Sequence, residues 1–433
     1  MARRRYFFST LVDVCLLGKW TSDAISSRLD EALYAYEPWT AELAQQLVDA
    51  FPQSPRPAAL LRYLLRNEHL ARERMTGKLR IHQYPLQPPQ ATLTHPSLPP
   101  LHTLADLAHW LHLSHHDLEW FADRARLSAA SPINRCRHYH VRTVPKSRGG
   151  VRLIEAPKPT LKHLQRRVHR ELLAYLPLHP AAHGFIPGRT PIEHAQLHVG
   201  QPVVLRFDLQ DCFLHVHGGM AYRAFSALGF TDSVSRYLMA LCTHSIAKTH
   251  LPPLALDEKQ QQLAQQNHLP QGAPTSPLLS HFALRGVDRR LQGYAQALEA
   301  TYSRYADDIV LSGGNQLHCH FRHIHARVGS IVAEEGFNLN YRKSLCLTQS
   351  RQQRITGITV NRHPNLPRNA FDNLKAKLHN CVRMGWKSQR PEDCADYRSH
   401  LLGRIGWCQQ LNPTRAAKLQ ALFDAIDWNN EKP

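Results

Sequence analysis

Two adjacent carboxylates, Asp307 and Asp308, interrupt a stretch that otherwise reads as buried strand. Thr301-Tyr-Ser-Arg ahead of them is β-branched and aromatic, and Ile309-Val-Leu311 behind them is apolar and ends at Ser312-Gly-Gly314. This is the pattern of a β-hairpin whose tight tip carries the acids. Like charges this close repel, and their pKa values split unless a cation neutralises them. Taken alone, the pair reads more readily as a solvated acidic turn. Oxygen-only donors suit a hard divalent ion, Mg²⁺ or Mn²⁺.

A third carboxylate ends another short apolar run. Val203-Val-Leu-Arg-Phe-Asp208 reads as a strand and is followed by Leu209-Gln-Asp-Cys-Phe213. Layered α/β folds assemble their sites at such strand ends. If Asp208 lies beside the 307/308 tip, three carboxylates can hold two metal ions about 3.5–4 Å apart, the arrangement for in-line phosphoryl transfer. Between the two strands lies His268-Leu-Pro-Gln-Gly-Ala-Pro-Thr-Ser-Pro277, whose prolines and glycine exclude a helix until Ser276. From there Leu278–Arg290 reads as one helix, and the rigid loop entering it suits contacts with phosphates or nucleotides.

In this order and at these separations, FDLQDCF, LPQGAPTSP and YADD resemble motifs A, B and C of reverse transcriptases. The likeness extends upstream through Arg152-Leu-Ile-Glu-Ala-Pro157, Leu161-Lys-His-Leu-Gln165 and His183-Gly-Phe-Ile-Pro-Gly-Arg189. Downstream it extends through Glu335-Gly-Phe-Asn-Leu-Asn-Tyr-Arg-Lys343 and Ile355-Thr-Gly357, so that it covers most of residues 130–430. Within that class the retron enzymes are the nearest in pattern. His194-Ala-Gln-Leu-His198 resembles the retron signature Asn-Ala-x-x-His with His in first place, and Ile355-Thr-Gly357 resembles Val-Thr-Gly with Ile for Val.

Composition fits this reading. The 53 basic against 34 acidic residues give a net charge of +19, with 29 histidines besides. Such an excess marks a polyanionic partner, and no basic amphipathic anchor points to a membrane instead. No run approaches the roughly 18 apolar residues of a membrane span. The basic N-terminus soon meets Asp13 and Lys19, which favours a cytoplasmic chain over a secreted one. The nine cysteines form no CxxC pair and read as reduced thiols. His318-Cys-His-Phe-Arg-His-Ile-His325 invites a zinc site, but it falls where a helix is expected and no second cluster completes a tetrahedral set, so surface histidines are the better reading.

The implied fold is α+β: a right-hand polymerase with a ferredoxin-like (split βαβ) palm, basic fingers and a helical thumb, plus a helical N-terminal extension. Residues 1–100 form that extension, ending in a proline-dense linker over 84–100; it is either a docking module or further cover for the fingers. Residues 101–200 hold a helical pair and the fingers, including a hairpin with Lys146 and Arg148 at its tip and Arg152 on the return strand. Residues 201–362 form the palm and 363–433 the thumb. Leu161–Leu176 reads as an amphipathic helix with Lys162, Arg166, Arg167 and Arg170 on its polar side, and 183–200 as an irregular Gly/Pro segment.

By resemblance, Asp208, Asp307 and Asp308 are catalytic and hold two Mg²⁺ (or Mn²⁺) together with Leu209. Lys146, Arg152, Asp211, Cys212 and Phe213 surround the triphosphate and sugar, and Gln271 and Gly272 shape the nucleotide and template site. Lys343 protonates the leaving pyrophosphate. Arg166, Arg167, His194, His198 and Arg404 are the expected RNA contacts, with His194 and His198 reading equally as packed loop histidines. Expected partners are dNTPs, an RNA–DNA duplex, a structured noncoding RNA serving as template and primer, and an effector protein in an anti-phage system. Two other readings remain open at this point: a bacterial defence reverse transcriptase outside the retrons with other priming, and a catalytically idle RNA-binding scaffold.

Overall fold

A computed structural model describes residues 8, 11–12, 14–16, 18–33, 38–67, 70, 93–124, 126–127, 131–146 and 149–428. The chain divides into two compact units. The first comprises residues 1–96, 100–115 and 229–235; the second comprises 97–99, 116–228 and 236–433.

The first unit is helical, with helices Ser22–Leu33, Pro38–Ala50, Pro57–Arg66 and Leu104–Leu111. Pro57 starts its helix where a missing N–H costs nothing. Thr103 and Asp106 exchange hydrogen bonds as a capping box for Leu104–Leu111. Ile25, Leu29, Leu47, Leu60 and Leu64 are fully buried around Phe8 and Leu11, each such side chain contributing about 1.5–3 kcal/mol by leaving water. The linker expected at 84–100 lies outside the described residues up to position 92.

The second unit is built on a five-stranded sheet. Its strands follow an antiparallel hairpin of β1 (Tyr139–Pro145) and β2 (Val151–Pro157). They are β3 (Ala182–His183), β4 (Val203–Asp208), β5 (Thr301–Tyr305), β6 (Asp308–Gly313) and β7 (Leu345–Thr348), in spatial order β3-β5-β6-β4-β7. The four strands β4 to β7 follow the order of a split βαβ unit, and all their pairings are antiparallel.

Side-chain alternation along the strands separates two faces. One carries Leu205, Phe207, Ile309 and Leu311, all at most 1% exposed. Helices Arg285–Ala297 and Phe321–Glu334 pack against this unit, with the Phe207 and Phe321 rings stacked at 6.4 Å. The other face carries Val204 and Val310, covered by Ala195, Ile355 and Ile358. The last two belong to β8 (Arg354–Ile355) and β9 (Ile358–Thr359), joined by Thr356 and Gly357, both at positive φ as a two-residue hairpin requires. Three C-terminal helices, Arg368–Met384, Tyr397–Leu411 and Pro413–Asp424, bury a separate core around Leu374, Leu378, Leu401, Ile405 and Leu419.

Three local expectations need correction. The helix expected over Leu278–Arg290 is two helices, Ser276–Ala283 and Arg285–Ala297. The Ser280 hydroxyl donates back to the Pro277 carbonyl near the break, a local bond that competes with helix continuation. The 183–200 segment is not wholly irregular, because Pro191–Gln196 is a helix started by a Thr190–Glu193 capping box. The amphipathic helix at 161 runs from Pro159 to Glu171 and ends in a 3₁₀ turn, Leu173–Tyr175.

Candidate active site

The β5–β6 hairpin closes with Tyr305 opposite Asp308, leaving Ala306 and Asp307 as its tip. Ala306 sits at φ 54°, a left-handed conformation that alanine adopts only at a cost. Two bonds hold it there: its N–H donates to the His183 carbonyl at 3.0 Å, and its carbonyl accepts from Arg304 Nη1 at 2.6 Å. Asp208 is the register partner of Asp308 on β4. The Leu209 N–H reaches the Asp307 carbonyl at 3.0 Å, so motif A and the tip are bonded through their backbones. The three carboxylates stand at one end of the sheet.

Each acid but Asp307 has a cation. Lys343 Nζ lies 2.8 and 3.0 Å from the two Asp208 oxygens, Arg206 Nη2 lies 3.5 Å from Asp308, and Lys146 bridges the cavity to Asp211 at 3.0 Å. Asp307 opens to solvent on one side, yet the protein around it and the charges of Asp208 and Asp308 push its pKa up to about 6. Asp308 is raised for the same reasons, burial first, and partly relieved by Arg206. A cluster short of positive charge in this way is a site for added cations. All its donors are oxygens, as a hard divalent ion requires. Among the described residues no three ligating groups are already drawn into a closed coordination set. Lys343 and Arg206 partly fill the electrostatic role instead.

The acids line a cavity of about 1200 Å³, to which Lys146, Arg152, Asp211, Phe213, Gln271 and Lys343 also contribute. Leu209 and Cys212 line it too. Burial holds the Cys212 thiol up at about 12, so it remains protonated and offers shape rather than a nucleophile. Asp211 starts the short helix Cys212–His215 from the left-handed region, at φ 46°. Gly272 is not in the wall: it packs on β2, where an added Cβ would meet the Glu155 carbonyl at 3.0 Å. Ser147 and Arg148 at the hairpin tip lie outside the described residues.

The expected RNA contacts scatter. Arg166 is exposed on its helix, and Arg167 is paired with Glu171 at 3.2 Å. Arg404 lines a separate recess of about 450 Å³ with His400 and Trp407. His194 and His198 correct the expectation, because both are fully buried and hydrogen-bonded with Ser303. Neither ring presents a surface to RNA. Of the His318–His325 histidines, His318 lies on one short helix, His323 and His325 on the next and His320 at the turn between them, with His318, His320 and His323 exposed.

Sequence reasoning passed over two cations. Arg206 is two residues before Asp208 on a strand, and alternation alone puts both on one face. Arg304, fully buried, donates to both oxygens of fully buried Asp288 at 2.6–2.7 Å. It read only as part of a strand.

Residues 144–360, about half of the chain, match the reverse transcriptase (RNA-dependent DNA polymerase) family. The retron Mx65 reverse transcriptase of Myxococcus xanthus is 37% identical over 341 residues, covering 77% of this chain and 74% of the relative. The retron Mx162 reverse transcriptase of the same organism is 33% identical, covering 74% and 66%. The retron Ec86 reverse transcriptase of Escherichia coli is 29% identical, covering 68% and 85%. With its motif acids gathered at one sheet end over a basic cavity, the chain belongs to the reverse transcriptases, as a retron-type RNA-directed DNA polymerase.

Proposed function

We propose that the chain copies part of a structured noncoding RNA into single-stranded DNA, the RNA supplying both template and primer. The observation that carries this is the register pairing of Asp208 with Asp308, beside Asp307, at the floor of a cavity lined by Lys146, Arg152 and Lys343. In this reading the five-stranded sheet is the palm, the β1–β2 hairpin belongs to the fingers and the helices 368–424 are the thumb.

Asp208, Asp307, Asp308 and the Leu209 carbonyl would hold two Mg²⁺, with Mn²⁺ able to replace them. Bound there, the ions supply activation of the attacking hydroxyl and neutralisation of the leaving pyrophosphate. The chain's own residues do the rest. Lys146 and Arg152 take the charge of the triphosphate. Phe213 fills the space a ribose 2′-OH would need, so deoxyribose is selected by exclusion. Gln271 positions the nucleotide from the opposite wall. Lys343 exchanges its bond to Asp208 for the departing phosphate and donates a proton to it as general acid.

Initiation uses a 2′-OH of a guanosine within the folded RNA, which the RNA fold and the basic surface hold in line. Retron kinship supports this start, and with it a cytoplasmic anti-phage system that includes an effector protein. Among the described residues no helix is long and apolar enough to cross a membrane. The test is to express the chain with the noncoding RNA encoded beside it and isolate the DNA. The expected product is joined to RNA through a 2′,5′ linkage and released by a debranching enzyme. Recovery of only free or protein-linked DNA would overturn the initiation mode.

A further inference from the structure

Apart from the acids of the cavity, the second unit holds a cluster of titratable groups that the chemistry above does not use. Glu155, on β2, is fully buried with both carboxylate oxygens occupied. Oε1 accepts from His244 Nδ1 at 2.6 Å and Oε2 from His268 Nε2 at 2.8 Å. His268 is itself fully buried, and its other nitrogen, Nδ1, lies 2.8 Å from the Gln266 carbonyl. A neutral imidazole has one N–H to give. With Glu155 ionised, both partners of His268 only accept, and the geometry then has both ring nitrogens donating as an imidazolium. Burial works against that charge, but the Glu155 carboxylate outweighs it and raises the ring's pKa above the ordinary histidine value. Glu155 in turn is held at about 2: burial opposes its ionisation and the two histidines overcome that. His244, the third member, stacks on Tyr139 at 4.2 Å between ring centroids.

What this cluster grips is the loop that carries Gln271. His268 and His244 exchange backbone hydrogen bonds, each 2.9 Å. The Glu155 N–H donates to the Gln271 carbonyl at 2.9 Å, and Gly272, at φ +137°, lets the loop lie directly on the Glu155 carbonyl. Glu155 therefore holds the loop twice, by its side chain at His268 and by its backbone at Gln271. Between those points Leu269 and Pro270 make no regular ladder, and Pro270 has no N–H to give. A buried ion pair is a poor source of net stability, but it fixes a geometry, since the carboxylate must lie between its two donors.

We propose that Glu155 and His268 are positioning residues for nucleotide binding: their ion pair sets the depth at which Gln271 enters the cavity. The inference rests on the reading of Gln271 as a nucleotide contact. Neither Glu155 nor His268 is among the residues lining the cavity, so each acts through the loop.

The test is a double-mutant cycle on primer extension, reading KM for dNTP and kcat separately. Glu155→Gln keeps the shape and removes the charge. It is expected to raise KM about tenfold and to leave kcat within about twofold. Glu155→Asp, which restores the charge, should recover part of that loss. In a Gln271→Ala background, where KM is already high, Glu155→Gln should add little. An undiminished effect of Glu155→Gln in that background overturns the positioning role. An unchanged KM in Gln271→Ala alone overturns the inference as well, and traces the failure to the nucleotide-site reading beneath it. A measurement on the unmodified chain covers the case in which Glu155→Gln does not fold. With ¹⁵N-labelled histidine, the signal missing in His268→Gln should keep two protonated ring nitrogens to a pH above that of an ordinary histidine. One protonated nitrogen there overturns the ion pair.

Discussion

The two faces of the catalytic sheet end carry ion pairs of the same chemistry at opposite burial. On the open face, Lys343 holds Asp208 and Arg206 holds Asp308, and the Lys343 side chain is 42% exposed. On the helix-covered face, Arg304 holds Asp288 with both side chains at 0%. Solvent lets the first pairs exchange partners, because an exposed ion pair is worth about 0–1 kcal/mol and another charge can displace it. The sealed pair has no solvent to exchange with, and besides Arg304, Asp288 keeps only the neutral Tyr302 hydroxyl as a side-chain donor among the described residues. Arg304 also donates to the Ala306 carbonyl, so this fixed pair shapes the tip on which the exchangeable acids stand. In the proposed reading one face binds and releases, while the other keeps its backbone in place.

The largest expected effect breaks the open face. Asp307→Asn with Asp308→Asn removes two charges while preserving shape, and primer extension should fall by about 10³-fold or more. RNA affinity should stay within about twofold in a filter-binding assay, since the basic surface that neutralises phosphates is untouched. Full extension activity in the double variant would show that the exchangeable face is not the catalytic one.

Breaking the sealed face should read out as stability instead. Arg304→Met leaves the Asp288 carboxylate buried with only the Tyr302 hydroxyl, at 2.6 Å, as a side-chain donor. Removing one partner of such a pair costs about 3–5 kcal/mol, visible as a lower denaturant midpoint. Adding Asp288→Leu should recover much of that loss, because two apolar groups replace a buried pair at little net cost. The recovered double variant should still polymerise poorly, since Ala306 would lack the Arg304 bond that holds its strained φ. Normal activity there would assign the tip's geometry to its remaining bond, from Ala306 N–H to His183.

How much of this was legible in the sequence follows from the distance over which each feature is encoded. β4 and the 307/308 tip were each readable because alternation and acid placement agree within a dozen residues, whereas their pairing, across 100 residues of chain, was only a condition that the likeness to motifs A and C suggested. Asp208, Asp307, Asp308, Gln271 and Lys343 line one cavity, and Gly272 of the same loop stands outside it. Pro191–Gln196 carried a local signal that was overlooked: Thr190-Pro-Ile-Glu193 is a capping box with proline at the first helical position. His194 and His198 were misplaced because a histidine in a loop and one sealed in a core have the same sequence. The Glu155–His268 pair, 113 residues apart, and the Arg304–Asp288 pair left no local trace, since only the tertiary fold brings such groups together.

The smallest effect sharpens the comparison by asking what burial does to polar groups that lack a charged partner. His198 contacts Ser312 at 2.7 Å and Ser303 at 2.6 Å, and Ser303 also contacts His194 at 2.7 Å. A hydroxyl can donate or accept, so these three contacts are compatible with neutral rings, while the buried Nδ1 of His194 has no partner. Burial, and then the neighbouring histidines, lower His194 to about 2 and His198 to about 3, against about 6.5 in an unfolded chain. Above pH ~6.5 both states hold these rings neutral and the network's stability is fully present. As pH falls below that value the unfolded chain takes up protons that the folded one refuses. Stability then drains away toward the folded pKa values, at up to about 1.4 kcal/mol per pH unit for each ring. His194→Asn retains an amide that can meet Ser303 and removes one titrating group. Its unfolding midpoint should match the parent near pH 8 and fall less steeply between about pH 6 and pH 4. Parallel acid slopes for the two proteins would mean that His194 is already protonated in the folded state, and that this network, like Arg304–Asp288, is charged.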